Sequence, residues 1–202
     1  VSLIYTISTA TTGEPVPLVD LKRFLRVDFA EHDALITSLA KAARADVEMR
    51  THRQLMKAVY NLYLDSFPGE IRIPLSPLIS IGTIAYIDAD GTSQTDLVED
   101  TDYTVDTDME PGRVYPVYGG AWPSTRSQRK AVTIPFTCGY SNSATVSTQQ
   151  AAVPESLAAA IKLKTQLLYD QPEPKLAAML EERYLALLGP ETVPATEAAY
   201  SG

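Results

Sequence analysis

The sequence predicts an α+β fold: a four-helix bundle built from N- and C-terminal helices, with an antiparallel β domain inserted between them. Three observations carry this. Apolar residues recur at helical spacing from Leu18 to about Thr51, alternate from about Leu55 to Tyr140, and return to helical spacing after Val153. Pro, Gly and Asp cut the alternating zone into short pieces, as in antiparallel sheets rather than parallel crossovers. Neither terminal pair of helices can bury its apolar stripe alone, so the economical solution packs all four together. The expected bounds are 17–53 for the first helix pair, 54–140 for the β domain, 153–189 for the returning helices and 190–202 for a flexible tail.

The elements follow in order. Pro17 suits a helix start, because its missing N–H would find no partner in a first turn. Leu18, Leu21, Phe24 and Leu25 form the stripe of the first helix, with Lys22, Arg23 and Arg26 on the wet side. Asp33 favours the start of the second helix through the positive end of its dipole. The second stripe is Leu35, Ile36, Leu39, Ala42, Ala43 and Val47. Strand character then appears in Ala58, Tyr60, Leu62 and Leu64, in Ile71, Ile73 and Leu75, and in Ile79, Ile81, Thr83, Ala85 and Ile87. The cleanest alternation is Val132, Ile134, Phe136, Cys138 and Tyr140. Pro135 within it has no N–H for a ladder, which predicts an edge strand or an outward-turned proline. Residues 141–150 read as a polar linker. Pro154 opens a helix through Leu168 that ends at Pro172-Glu173-Pro174. Leu176, Met179, Leu180, Tyr184, Leu187 and Leu188 mark a last helix, closed by Gly189-Pro190.

Composition narrows the function. The chain of 202 residues is 45% hydrophobic and 21% charged, which excludes a wholly disordered protein. Its net charge of −8 argues against a protein whose main task is to grip phosphate backbones. No apolar run approaches the ~20 residues of a membrane span, and no secretory signal is expected. One cysteine and two histidines leave little for a disulfide or a zinc site.

The strongest local anomaly is acidic: nine carboxylates and no Lys or Arg lie between Asp88 and Glu110. Glycine at position 91 comes too early for a calcium loop opening at Asp88, so a solvated acidic rim is the better reading. Paired carboxylates for glycoside hydrolysis would need one acid held protonated in an apolar pocket, and these lie on wet turns. Cys138 falls on the apolar face of its strand, where a thiol is buried and inert. His32 and His52 sit at helix ends and imply no triad. The expectation is therefore a protein that is not an enzyme, with no catalytic residue, metal or cofactor.

The order of the motifs resembles the head–tail connector (adaptor, or head-completion) proteins of tailed phages, in the longer subgroup with a β insertion. The resemblance runs from Leu18 to about Tyr169. Leu21 through Leu25-Arg26-Val27-Asp28 is similar to that family's first helix, and Asp33-Ala34-Leu35-Ile36 to its second. Thr51-His52-Arg53-Gln54-Leu55 resembles its helix-to-strand junction, with His52 where the family often has glycine. Pro77-Leu78, Ser80-Ile81, Ile84, Tyr86, Asp88 and Asp90-Gly91 form the most specific stretch. Glu110-Pro111-Gly112-Arg113, Trp122-Pro123, Gly139-Tyr140 and Val153-Pro154-Glu155 follow in the family's order.

The resemblance implies a structural virion protein made in the host cytoplasm and located in the phage neck, at the head–tail interface. It implies a homo-oligomeric, dodecameric ring that docks under the portal protein and leads to the next neck or tail-terminator ring. DNA would pass through the lumen unread, and no membrane is involved. The rival reading is a secreted or surface β-rich module that binds glycans or proteins. The segment from Met109 to Lys130 carries the only Trp, two Tyr and a cationic end, which suits a reaching arm. Arg113, Tyr115, Tyr118, Trp122, Arg126 and Arg129 are therefore the expected subunit interface. The acidic stretch is the expected partner of Arg126, Arg129 and Lys130 in a neighbouring copy. Leu187, Leu188, Val193 and Tyr200 are the expected portal-docking residues.

Overall fold

The computed structural model describes residues 4–194. It is a mixed α+β chain of two compact units. Among the described residues, a helical unit comprises residues 11–56 and 140–192, and a β unit comprises residues 4–10, 57–139 and 193–194.

The helical unit contains α1 (Leu18–Leu25), α2 (Asp33–Thr51), α3 (Val146–Ala152), α4 (Glu155–Asp170) and α5 (Pro174–Leu188). Its core joins helices from both ends of the chain: Leu21, Ile36, Ala40, Ala43, Val47, Leu157, Ala160, Ile161, Tyr184 and Leu188. Among the described residues five α-helices stand where four were expected, because the polar stretch before Val153 is not a bare linker. Within it, Gln149 is buried and donates its side-chain amide to Ser143 O at 2.8 Å. The stripe of α2 is also rotated from the expected one. Ile36, Ala40, Ala43, Val47 and Thr51 face inward, while Leu35 is exposed.

Both early helices end in the left-handed conformation, α1 at Arg26 (φ 58°) and α2 at His52 (φ 54°). The backbone N–H groups of Arg26 and Val27 close α1 onto Arg23 O and Lys22 O. A polar cluster ties the chain before α1 to α2. Arg44 bonds Glu14 at 2.8 Å and Glu48 at 3.0 Å, and Glu48 accepts from Gln54 Nε2 and Leu55 N. Burial raises the Glu48 carboxyl above its usual range, although Arg44 and the Leu55 N–H pull the other way.

The β unit holds β1 (Ile4–Thr9), β2 (Ala58–Leu64), β3 (Ile71–Arg72), β4 (Leu78–Ile81), β5 (Ala85–Ile87), β6 (Ser93–Gln94), β7 (Tyr103–Asp106), β8 (Arg113–Pro116) and β9 (Val132–Cys138). One sheet runs β1-β2-β9-β5-β6 with β4 also on β9, and a second runs β3-β8-β7. All these pairings are antiparallel. Val132, Ile134, Phe136 and Cys138 point into a core with Leu62, Leu64, Ile71, Ile73, Ile84 and Val114.

One expectation is narrowed here and another corrected. Of the two alternatives for Pro135 the edge strand is not found, since β2 lies along one side of β9 and β4 and β5 share the other. The proline does fall on the strand's outward face. Pro135 is tolerated because the sheet is interrupted where its N–H would point. There the chain passes from β4 to β5 through Gly82, whose own N–H donates to Pro135 O at 2.7 Å. The correction concerns phase. Leu78, Ile84 and Tyr86 are the buried residues of this stretch, so Ile79, Ala85 and Ile87 are not the buried set, and Ile81 only packs half-buried against the core.

Candidate assembly surface

The long segment between β8 and β9 divides into an inward and an outward half. Trp122 belongs to the first. Its indole stacks on Phe67, with centroids 4.6 Å apart and planes 6° from parallel, and lies 6.2 Å from Tyr103. Phe67 in turn meets Tyr86 edge-on, so the tryptophan packs against its own unit. Arg113 is also engaged internally. Its Nη1 bonds Glu70 at 3.2 Å, and Glu70 takes Arg72 Nε at 2.7 Å. The hydrogen bond from Arg72 and the charge of Arg113 hold the Glu70 carboxyl below its usual range, against a smaller effect of burial.

The outward half carries the free chemistry. Tyr115 is partly exposed and Tyr118 wholly so. Beyond Trp122, a cleft of about 460 Å³ is lined by Asp65, Ser66, Thr125, Arg126, Ser127, Gln128 and Arg129. Lys130 N donates to Asp65 Oδ1 at 2.8 Å, which joins the two walls. Lys130 Nζ sits 4.7 Å from the centre of the Tyr63 ring. Among the described residues, neither Arg126 nor Arg129 has a carboxylate within salt-bridge distance, whereas Arg44, Arg50, Arg53, Arg72 and Arg113 each have one.

Gly91, weighed in the sequence as a calcium-loop position and as part of the Asp90-Gly91 motif, is a site residue. Its φ is +91°, and a Cβ there would lie 2.5 Å from Arg126 Nη1. The guanidinium therefore rests against a turn that only glycine keeps open. Asp88 builds that turn by accepting from Asp90 N, Thr92 N and Gln94 Nε2. The Gln94 hydrogen bond, followed by the Thr92 N–H, keeps its carboxyl below the usual range. The other acidic turns are built alike. Asp102 accepts from Val98 N, and Asp106 from Asp108 N and Met109 N. Much of the acidic stretch is therefore turn scaffolding, which the sequence alone did not disclose.

The expected docking residues separate. Leu188 is buried in the helical core and Val193 is 4% exposed, so neither offers a free surface. Leu187 is half-buried, and Tyr200 lies outside the described residues. The exposed apolar groups of α5 are Leu176, Met179 and Leu185. The chain beyond Leu188 forms a short 3₁₀ turn, Gly189–Glu191. Glu191 O accepts from Arg53 Nε at 2.6 Å, and its carboxylate accepts from Ser156 Oγ at 2.7 Å.

The remaining expected chemistry falls to packing. Cys138 is buried and donates to Leu75 O, and burial pushes its thiol far above the usual range. His32 shares a 2.6 Å hydrogen bond with Tyr169. Among the described residues no group of His, Cys, Asp and Glu is placed to hold a metal, and no helix is long and apolar enough to cross a membrane.

Comparison with known proteins gives this geometry its context. No curated protein matches the sequence. Solved chains match the fold, and gene transfer agent particles supply three of them. One, from the virion of a native gene transfer agent particle, aligns at TM-score 0.77 and 24% identity over 95% of this chain and 96% of its own. A chain from the neck of the empty particle, computed with C6 symmetry, aligns at 0.68 and 22% identity over 90% and 94%. A chain from the neck of the native particle, computed with C12 symmetry, aligns at 0.66 and 24% identity over the same shares. The family model that matches is the phage gp6-like head-tail connector protein, over residues 16–106. That span covers α1, α2 and β2 through β7, and the resemblance read from the motifs names the same family. Over residues 16–106 the chain is therefore similar to the phage gp6-like head-tail connector proteins.

Proposed function

We infer that this chain is a structural neck protein, an adaptor that joins the head of a phage-like particle to its tail. The observation that carries this is the connector-family match from α1 through β7. The fold it shares along nearly its whole length with chains of a gene transfer agent virion supports the same role. Neck structures of that agent computed with C12 and C6 symmetry support a ring of identical copies, twelve in the full neck. The ring seats one end on the portal protein and the other on the next neck or tail-terminator ring. Arg126, Arg129, Tyr115 and Tyr118 lie on the subunit side, since they are exposed and free of internal ion pairs.

The role is mechanical rather than chemical. DNA passes through the lumen without sequence recognition. With a net charge of −8, the chain repels a phosphate backbone at short range while salt screens it beyond ~10 Å. Such a lumen holds no DNA in transit. Removing this chain from producing cells tests the role. DNA-filled heads and free tails should accumulate separately, and normally joined particles would end the proposal.

A further inference from the structure

We propose that the cleft between residues 65–66 and 125–129 is the receiving half of the subunit contact, and that the β7–β8 hairpin tip of a second copy enters it with its Asp108 carboxylate between Arg126 and Arg129. The inference rests on the ring reading above and names the surfaces that would make the ring.

The cleft is built for an oxyanion. Two guanidiniums lie at one site with no carboxylate within salt-bridge distance among the described residues. Ser66, Thr125, Ser127 and Gln128 add neutral donors around them. Asp65 is the one acidic wall residue, and its Oδ1 already accepts the Lys130 N–H. The cleft is thus net positive within a chain whose net charge is −8. Arg126 is positioned by its rest against Gly91, so it is aimed before any partner arrives. A planar guanidinium held in this way takes a carboxylate in two parallel hydrogen bonds, which a lysine cannot do.

The tip is the complementary object. Residues 107–110 are all exposed, and Met109 presents 45% of its surface at the turn. Asp106 Oδ1 accepts from Asp108 N at 3.0 Å and Met109 N at 3.2 Å, so the tip is pinned before docking. A pinned tip loses little conformational freedom on binding. Asp108 has no bonding partner for its carboxylate among the described residues, unlike Asp88, Asp96, Asp102 and Asp106. The chain therefore carries both an unmatched pair of cations and an unmatched, preorganised anion. Because the two surfaces differ, pairing them between copies is heterologous and repeats around a ring, where a self-complementary patch would stop at a dimer.

Charge reversal on the full-length chain tests this, with assembly read by light scattering across a concentration series. Arg126→Glu with Arg129→Glu should raise the concentration needed for assembly by at least about tenfold, and Asp108→Arg should do the same. The triple variant R126E/R129E/D108R should recover assembly, because the pairing is restored with its signs exchanged. All variants should melt with the wild type, since the three side chains are exposed. Assembly that is unaffected by either reversal, or a triple variant that stays apart, overturns the inference while leaving the ring reading standing. A wild-type chain that is monomeric throughout the series, and stays so when portal protein is added, removes the ring reading and this contact with it. Variants that assemble normally but lose binding to a 50-base-pair DNA duplex would make the cleft a phosphate contact, and would also overturn it.

Discussion

Tyr184 donates its hydroxyl to Asp46 Oδ2 at 2.5 Å, tying the last helix of the chain to the second. The tyrosine is fully buried, and Lys164 of α4 sits 4.9 Å from its ring while reaching Asp46 at 3.7 Å and Glu181 at 3.2 Å. One carboxylate thus organises three helices contributed by both ends of the sequence. Tyr184→Phe should destabilise the helical unit by about 1–2 kcal/mol, since it leaves the carboxylate short of a buried partner. Urea unfolding followed by circular dichroism checks this.

The same carboxylate predicts an acid limb. Burial acts to raise Asp46, but hydrogen bonds from Tyr184 and Arg50 and the charge of Lys164 outweigh it, and the carboxyl lies below its usual range. A carboxyl depressed in the folded state contributes stability that is present at neutral pH. That contribution is lost as the pH falls through about 4 toward the lower folded value. The melting temperature of the wild type should therefore fall over that window. The fall should be smaller in Tyr184→Phe, where the depression is relieved.

Trp122→Ala should cost the β unit about 3 kcal/mol by removing a large ring stacked on Phe67. Trp122→Phe should recover much of this, because a smaller ring still stacks on its neighbour. Denaturation of purified variants decides the matter. Wild-type stability for the alanine variant would mean the indole serves a partner rather than its own fold.

His52→Gly should raise stability by about 1 kcal/mol. The residue closes α2 at φ 54°, a conformation that costs a side chain energy and glycine almost none. An unchanged or lowered melting temperature would mean that His52 makes a contact worth more than its strain.

A chain stopped before Glu191 should melt below the wild type, and one stopped after Pro194 should melt above that first truncation. Glu191 holds Arg53 and Ser156, and Val193 is buried, so the shorter cut removes structure that the longer one keeps. Equal melting temperatures would contradict this.

What the sequence disclosed follows the physics of periodicity. Val132 to Cys138 alternates without a break, and its inward residues were identifiable because one side of that strand is core. His52 was legible as a helix end in an unusual conformation because the resembling family places glycine there. Other features depended on contacts between distant residues. Leu78, Ile84 and Tyr86 are buried one position out of step with the alternation that Ile79, Ile81, Ala85 and Ile87 suggest, and no local pattern announces it. The centrality of β9 was hidden because Pro135 reads as an edge signal until Gly82 is seen opposite it. The candidate interface divided for a similar reason. Trp122 and Arg113 looked like arms to a neighbour, but Phe67 and Glu70, far away in sequence, claim them. The acidic run looked uniform, yet turn formation uses Asp88, Asp102 and Asp106 and leaves Asp108 outward.

Native mass spectrometry of the full-length chain, alone and mixed with portal protein, tests the neck-ring role most directly. A closed ring of identical copies that adds to the portal as one body is the expected result. A chain that remains monomeric in both samples, with no portal complex, would contradict it.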